Sequence, residues 1–151
     1  MITIPFKPLS LQDNGFHLLV DIEVFGQTHQ AVLDTGASKT VFDKTNVEKI
    51  LDGETELEYS EYLSTGLGTT SMESFTVLLP LLRIGDWQIK NHRIAVLDLS
   101  TINYAYEQMN FDPVIGVIGG DILMDYGGVI DYRKMTLRLR QRKISRRPVI
   151  K

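Results

Sequence analysis

Three features of the chain predict a mostly-β fold. Apolar residues recur with a period of two along most of its length, turn-forming residues punctuate the alternation, and only short windows suit a helix. Many short strands with little helix imply a closed or sandwiched β architecture. With 151 residues, 43% of them hydrophobic and 23% charged, the chain has enough material for one core and too little for two. Residues 1–151 therefore read as a single domain, with a core from about 16 to 140 and a basic tail over 141–151. No linker and no internal repeat interrupts it.

The elements follow in order. His17 to Phe25 sets Leu18, Val20, Ile22 and Val24 against Leu19, Asp21, Glu23 and Phe25, the pattern of a half-buried strand. Gly26-Gln27 turns the chain into a second strand, Thr28 to Leu33, which ends on Asp34. Asp43 is placed to cap a short helix from Lys44 to Leu51, which stops near Gly53. Thr55 to Leu63 and Ser74 to Arg83 read as strands around a tip at Ser64 to Thr70. Gly85-Asp86 leads into a strand from Trp87 to Leu97, and Ser100 to Met109 suits a helix closed by Pro113. Val114 to Ile118 is a buried strand running into Gly119-Gly120, with Asp121 placed to cap a helix over Ile122 to Tyr126. Gly128 to Tyr132 and Met135 to Arg140 form a last hairpin about Arg133-Lys134.

Two short motifs carry the chemistry. Asp34-Thr35-Gly36-Ala37-Ser38 follows the apolar run Ala31-Val32-Leu33, so a strand ends by presenting a carboxylate in a tight turn. Small residues after the acid let a second backbone approach closely. Far downstream, Val117-Ile118-Gly119 repeats the apolar-apolar-Gly theme before a short helix. With both in place, the chain resembles the retropepsin-like aspartic proteases, single-domain relatives of pepsin, over roughly residues 16–140. That family pairs an apolar-apolar-Asp-Thr/Ser-Gly loop with a later apolar-apolar-Gly turn that supports it.

The resemblance implies a closed β-barrel-like domain with one or two short helices. It also implies an aspartic endopeptidase with Asp34 as the catalytic acid and Thr35 and Gly36 as its supporting loop. Amide hydrolysis needs a base to activate water and an acid to protonate the leaving nitrogen. Two carboxyl groups sharing one proton supply both, because neighbouring like charges cannot both ionise, as in the aspartic-protease dyad. The motif occurs once, so a homodimer is expected, with Asp34 facing its symmetry mate and Thr35 bonding across the axis. Pepsin-like enzymes commonly have serine after the glycine. Ala37 has no hydroxyl to stabilise an ionised aspartate, which predicts a mildly acidic optimum. Gly66, Leu67 and Gly68 correspond to a flap that closes over substrate, and Asp121 to a structural helix cap. The interval from Asp34 to Gly119 exceeds that of compact viral members, with extra residues at Lys44 to Glu56 and Leu97 to Pro113, which suits a cellular or bacterial relative. Met135 to Ile144 is either a strand of the dimer interface or a barrel strand with Arg138 and Arg140 facing water. A non-catalytic peptide-binding or dimerisation module on the same fold is the alternative reading.

Composition narrows the remaining classes. The absence of cysteine removes disulfides and thiolate chemistry and fits a reducing compartment. His17, His29 and His92 lack metal-ligand spacing, so neither metal nor cofactor is expected. No apolar stretch is long enough to span a membrane, and residues 1–10 lack a secretory pattern, so the expected location is cytoplasmic. From Arg133 onward there are nine basic residues and no acidic ones, against seven basic and nineteen acidic before it. No aromatic residue interleaves that tail, so a solvated edge is favoured over a nucleic-acid site. The expected partners are a peptide or protein substrate and a second copy of the chain.

Overall fold

A computed structural model describes residues 1–12, 15–51, 57–59 and 73–145. Six strands close a barrel in the order β3 (Phe16–Val24), β4 (Gln27–Leu33), β9 (Gly116–Ile118), β5 (Val41–Asp43), β8 (Trp87–Leu97) and β7 (Phe75–Ile84), with β7 returning to β3. β2 (Lys7–Ser10) extends the sheet beside β3, and β6 (Glu58–Tyr59) beside β7. A separate three-stranded sheet holds β1 (Ile2–Pro5), β11 (Thr136–Leu139) and β10 (Val129–Asp131), with β11 in the middle.

Alternation decides which side chains enter the barrel. Leu18, Val20, Ile22 and Val24 of β3 join Val77, Leu79, Leu82 and Ile84 of β7 in the main core. Leu19, Val32, Val41, Ala95, Leu97 and Val117 point the other way and form a second core. That outer core is covered by α2 (Ser100–Gln108), whose Tyr106 is buried within it. The continuous apolar run Ala31-Val32-Leu33 is thereby explained: β4 is buried on both faces. The remaining helices are α1 (Lys44–Ile50) and α3 (Gly120–Asp125).

The two extra segments of sequence supply α1 and α2. Asp43 caps α1 as expected, its Oδ2 accepting from Asn46 N at 3.1 Å. Its Oδ1 accepts from Leu99 N at 2.8 Å, so one buried carboxylate also fixes the entry to α2. Asn103 of α2 accepts from Val114 N at 2.9 Å and donates to Val114 O at 3.1 Å, standing in for a strand neighbour.

Several expectations change. β1 and β2 lie where no strand was read, although Ile4 and Phe6 are core residues. β9 begins at Gly116, because the Val114 amide and carbonyl are engaged by Asn103. β11 is a structural strand: it pairs with β1 and β10 within one chain, and Leu137 and Leu139 are buried. That pairing removes it as a free interface strand. Beyond it, Ile144 N donates to Asp125 O at 2.8 Å, which ties the start of the tail to the end of α3. Among the described residues, no helix is long and apolar enough to cross a membrane.

Candidate active site

β4 brings Asp34 to the rim of the barrel. Ala31, Val32 and Leu33 pair in parallel with Gly116, Val117 and Ile118, and Asp34 N continues the ladder by donating to Ile118 O at 3.0 Å. The chain then turns tightly, with Ala37 N donating to Asp34 O at 3.2 Å. Thr35 and Gly36 at the turn are exposed, and Asp34 is half-buried. Gly36 N donates to Asp34 Oδ1 at 2.9 Å, a bond that favours the ionised carboxylate and fixes its direction. Beyond the turn, Ala37 O accepts from Gly120 N at 2.8 Å.

The loop leaves through β5, which runs antiparallel to β9, so β9 lies between the two arms of the Asp34 loop. Glycine is required on β9 for space. A Cβ on Gly116 would collide with the Val41 carbonyl, and one on Gly119 would sit 2.5 Å from Lys39 O and 2.8 Å from Ala37 O. Gly119 has φ −111°, a conformation any residue adopts, so its reason is close approach alone.

Polar groups complete the support. Thr40 is fully buried; its N and Oγ1 both donate to Asp121 Oδ1 at 2.8 Å, and its Oγ1 accepts from Gly119 N at 3.1 Å. Burial pushes the Asp121 carboxyl up, but its contacts with His92, Thr40 and the backbone outweigh this and hold it below the usual carboxylate value. Asp121 keeps the structural role expected of it, facing the Ile122 amide at the start of α3, but from inside the first turn rather than from the cap position. Gly119 occupies the cap position of α3, and the Asp121 carboxylate is directed to Thr40.

An aspartyl protease family model matches residues 20–122, a span that takes in the Asp34 loop and the Gly119 turn. The chain belongs to the aspartyl protease family. Its fold is that of retropepsin-like members. It is similar to a retropepsin-like aspartic protease from Rickettsia conorii, with 22% identity, a TM-score of 0.52, and 91% of this chain and 86% of that one covered. It is also similar to the retroviral protease-like domain of Ddi1 from Leishmania major, with 16% identity, a TM-score of 0.57, and 87% and 94% covered. No curated protein matches the chain at a significant level.

Among the residues expected to act in this member of the family, Asp34, Thr35 and Gly36 lie together in one turn. Gly66, Leu67 and Gly68 lie outside the described residues. Next to them in sequence, β6 pairs with β7 through Glu58↔Thr76 and Tyr59↔Phe75. Among the described residues, no group of three or more His, Asp or Glu side chains could hold a metal ion. Thr40 was not singled out in the sequence, and His92 was weighed there only as a metal ligand. Thr40 left one signal, a hydroxyl residue immediately before the buried pair Val41-Phe42. His92 left none, because it sits among polar neighbours.

Proposed function

We propose that this aspartyl protease domain is an endopeptidase that acts as a homodimer, with Asp34 and the partner's Asp34 forming the catalytic pair. The observation that carries the reading is the Asp34 loop itself. A carboxylate stands at the rim of a closed barrel, with its direction fixed by Gly36 N and both arms of its loop joined to β9. One such acid is half of an acid–base pair, and a twofold axis near the exposed Thr35-Gly36 turn supplies the other half.

In this mechanism one carboxylate is ionised and takes a proton from water while the water oxygen bonds to the scissile carbonyl carbon. The other carboxyl group is protonated and donates its proton to the carbonyl oxygen. Proton transfer to the amide nitrogen then lets the C–N bond break, leaving a carboxylic acid and an amine. Neither an acyl-enzyme nor a metal takes part. Substrate lies extended, as an added strand whose alternating side chains are read by separate pockets. Gly66, Leu67 and Gly68 are the flap in this reading. The cysteine-free chain suits a reducing compartment, here the cytoplasm.

Incubating a diverse peptide pool with wild type and Asp34→Asn across pH and enzyme concentration tests the proposal. Wild type should cleave with a mildly acidic optimum, and the rate should rise faster than linearly with enzyme while the dimer is incompletely formed. Asp34→Asn should lose activity by a thousandfold or more, on the order of losses seen when a catalytic group that works as part of a unit is removed. Equal cleavage by both proteins sinks the reading. Binding of extended peptides without cleavage by either protein supports a non-catalytic peptide-binding module instead.

A further inference from the structure

We infer that His92 is a positioning residue for the candidate active site, holding Asp121 and through it the segment that carries Asp34; its kinetic consequences rest on the endopeptidase reading above. His92 lies on β8, opposite Leu79 of β7. Its Nε2 is 3.5 Å from Asp121 Oδ2, and both side chains are largely shielded from water. Asp121 Oδ1 is fully engaged by Thr40 N and Oγ1, so Oδ2 is the oxygen left to face the histidine. Among the described residues, His92 Nε2 is buried and has no other partner; at 3.5 Å it makes a long polar contact with this carboxylate oxygen.

The backbone of β8 is shaped for this placement. Trp87 and Ile89 enter the main core before Asn91, whereas Ile94 and Val96 enter it afterwards, so the alternation changes phase between them. Asn91 lies at the change, with φ +52°, a left-handed conformation that asparagine tolerates better than most residues. Its register position, along with that of Pro80, drops out of the β7–β8 pairing. The phase change gives His92 the parity of Ile94 and Val96. An unbroken alternation from Trp87 and Ile89 would have put it on the opposite parity.

Chemistry then selects one state of the ring. A lone pair on Nε2 would face a carboxylate, so Nε2 must carry a proton. With that proton, His92 turns an N–H toward the outer oxygen of Asp121 and limits rotation of its carboxylate. Oδ1 is thereby kept aimed at Thr40, whose Oγ1 accepts from Gly119 N. The chain of contacts runs from β8 through α3 to Thr40, where the Asp34 loop leads into β5.

Ring-nitrogen NMR on wild type, at a pH where His92 is neutral, should place the proton on Nε2; a proton on Nδ1 overturns the inference. In His92→Leu, amide exchange at Thr40 should quicken at least tenfold more than at the strand amides of β3 and β4. His92→Gln offers an N–H to the same carboxylate and should restore most of the protection. Exchange that quickens uniformly across the barrel, or remains unchanged at Thr40, overturns it. If His92→Leu does not fold, the wild-type tautomer decides alone. In peptide cleavage, kcat should fall about tenfold to a hundredfold in His92→Leu, with KM little changed, and recover in His92→Gln. A wild type that cleaves nothing defeats the endopeptidase reading, while the exchange pattern still decides what His92 does.

Discussion

Gly119 bears most directly on how the acid is held. The atoms its Cβ would strike are backbone carbonyls of the Asp34 loop, which cannot rotate away as a flexible side chain can. Gly119→Ala should therefore displace the loop, lower stability by ~2 kcal/mol or more on urea denaturation, and remove cleavage even where the barrel persists. His29, on the strand that delivers Asp34, presents a different problem. Its Nε2 is buried without a partner among the described residues, and burial holds its pKa below 6.5. His29→Leu should remove that unsatisfied atom, a gain of ~1–2 kcal/mol, roughly 2–8 °C in Tm for a chain of this size. Asp34 and the glycine of Val117-Ile118-Gly119 were legible from sequence, because a tight turn and a close backbone contact each demand particular residues. The Thr40–Asp121–His92 arrangement was not. Thr40 and Asp121 are 81 residues apart, and neither has a local pattern that names its partner.

Among the elements, α2 shows how an added segment becomes part of the core. Its Tyr106 and Ile102 pack on the outer face of the barrel, and Tyr106 Oη lies 2.6 Å from His17 Nδ1 on β3. Burial pushes the Tyr106 phenol up to about 12, so it remains protonated while it shares a hydrogen bond with the ring. Asn103 fixes the loop into β9 by engaging both polar groups of Val114. Asn103→Ala should strand the buried Val114 amide, leave the carbonyl only its 3.5 Å bond from Asn46 Nδ2, and cost ~1–3 kcal/mol, measured by chemical denaturation. Far-UV circular dichroism should show the strands preserved. The cap and extent of α1 were readable from Asp43 because capping is local chemistry. β1 and β2 were not, since each has four residues with one proline, too short for alternation to register. They form because β11 and β3 offer them partners from elsewhere in the chain.

Over the whole molecule, acid weakens the fold in two separate windows. His29 has a folded-state pKa lowered by burial, so the unfolded chain takes up its proton first; stability is full above pH 6.5 and declines as pH falls below it. Asp121 is also lowered, so its contribution is full above about 3.8 and is lost as pH falls through its folded value. Thermal melts from pH 8 to 3 should show an early decline that His29→Leu flattens and a later one that Asp121→Asn alters. A later decline identical in Asp121→Asn would contradict the second assignment. The position of β9 between β4 and β5 has a further consequence, for synthesis. Chains emerge N-terminal end first at about 5–20 residues per second, and closing long loops is the slow part of folding. Asp34 is therefore made well before Ile118 and Gly119 exist to hold it. A growing chain carries the acid as an unplaced side chain for several seconds, and the loop can take its final form only when most of the domain has been translated.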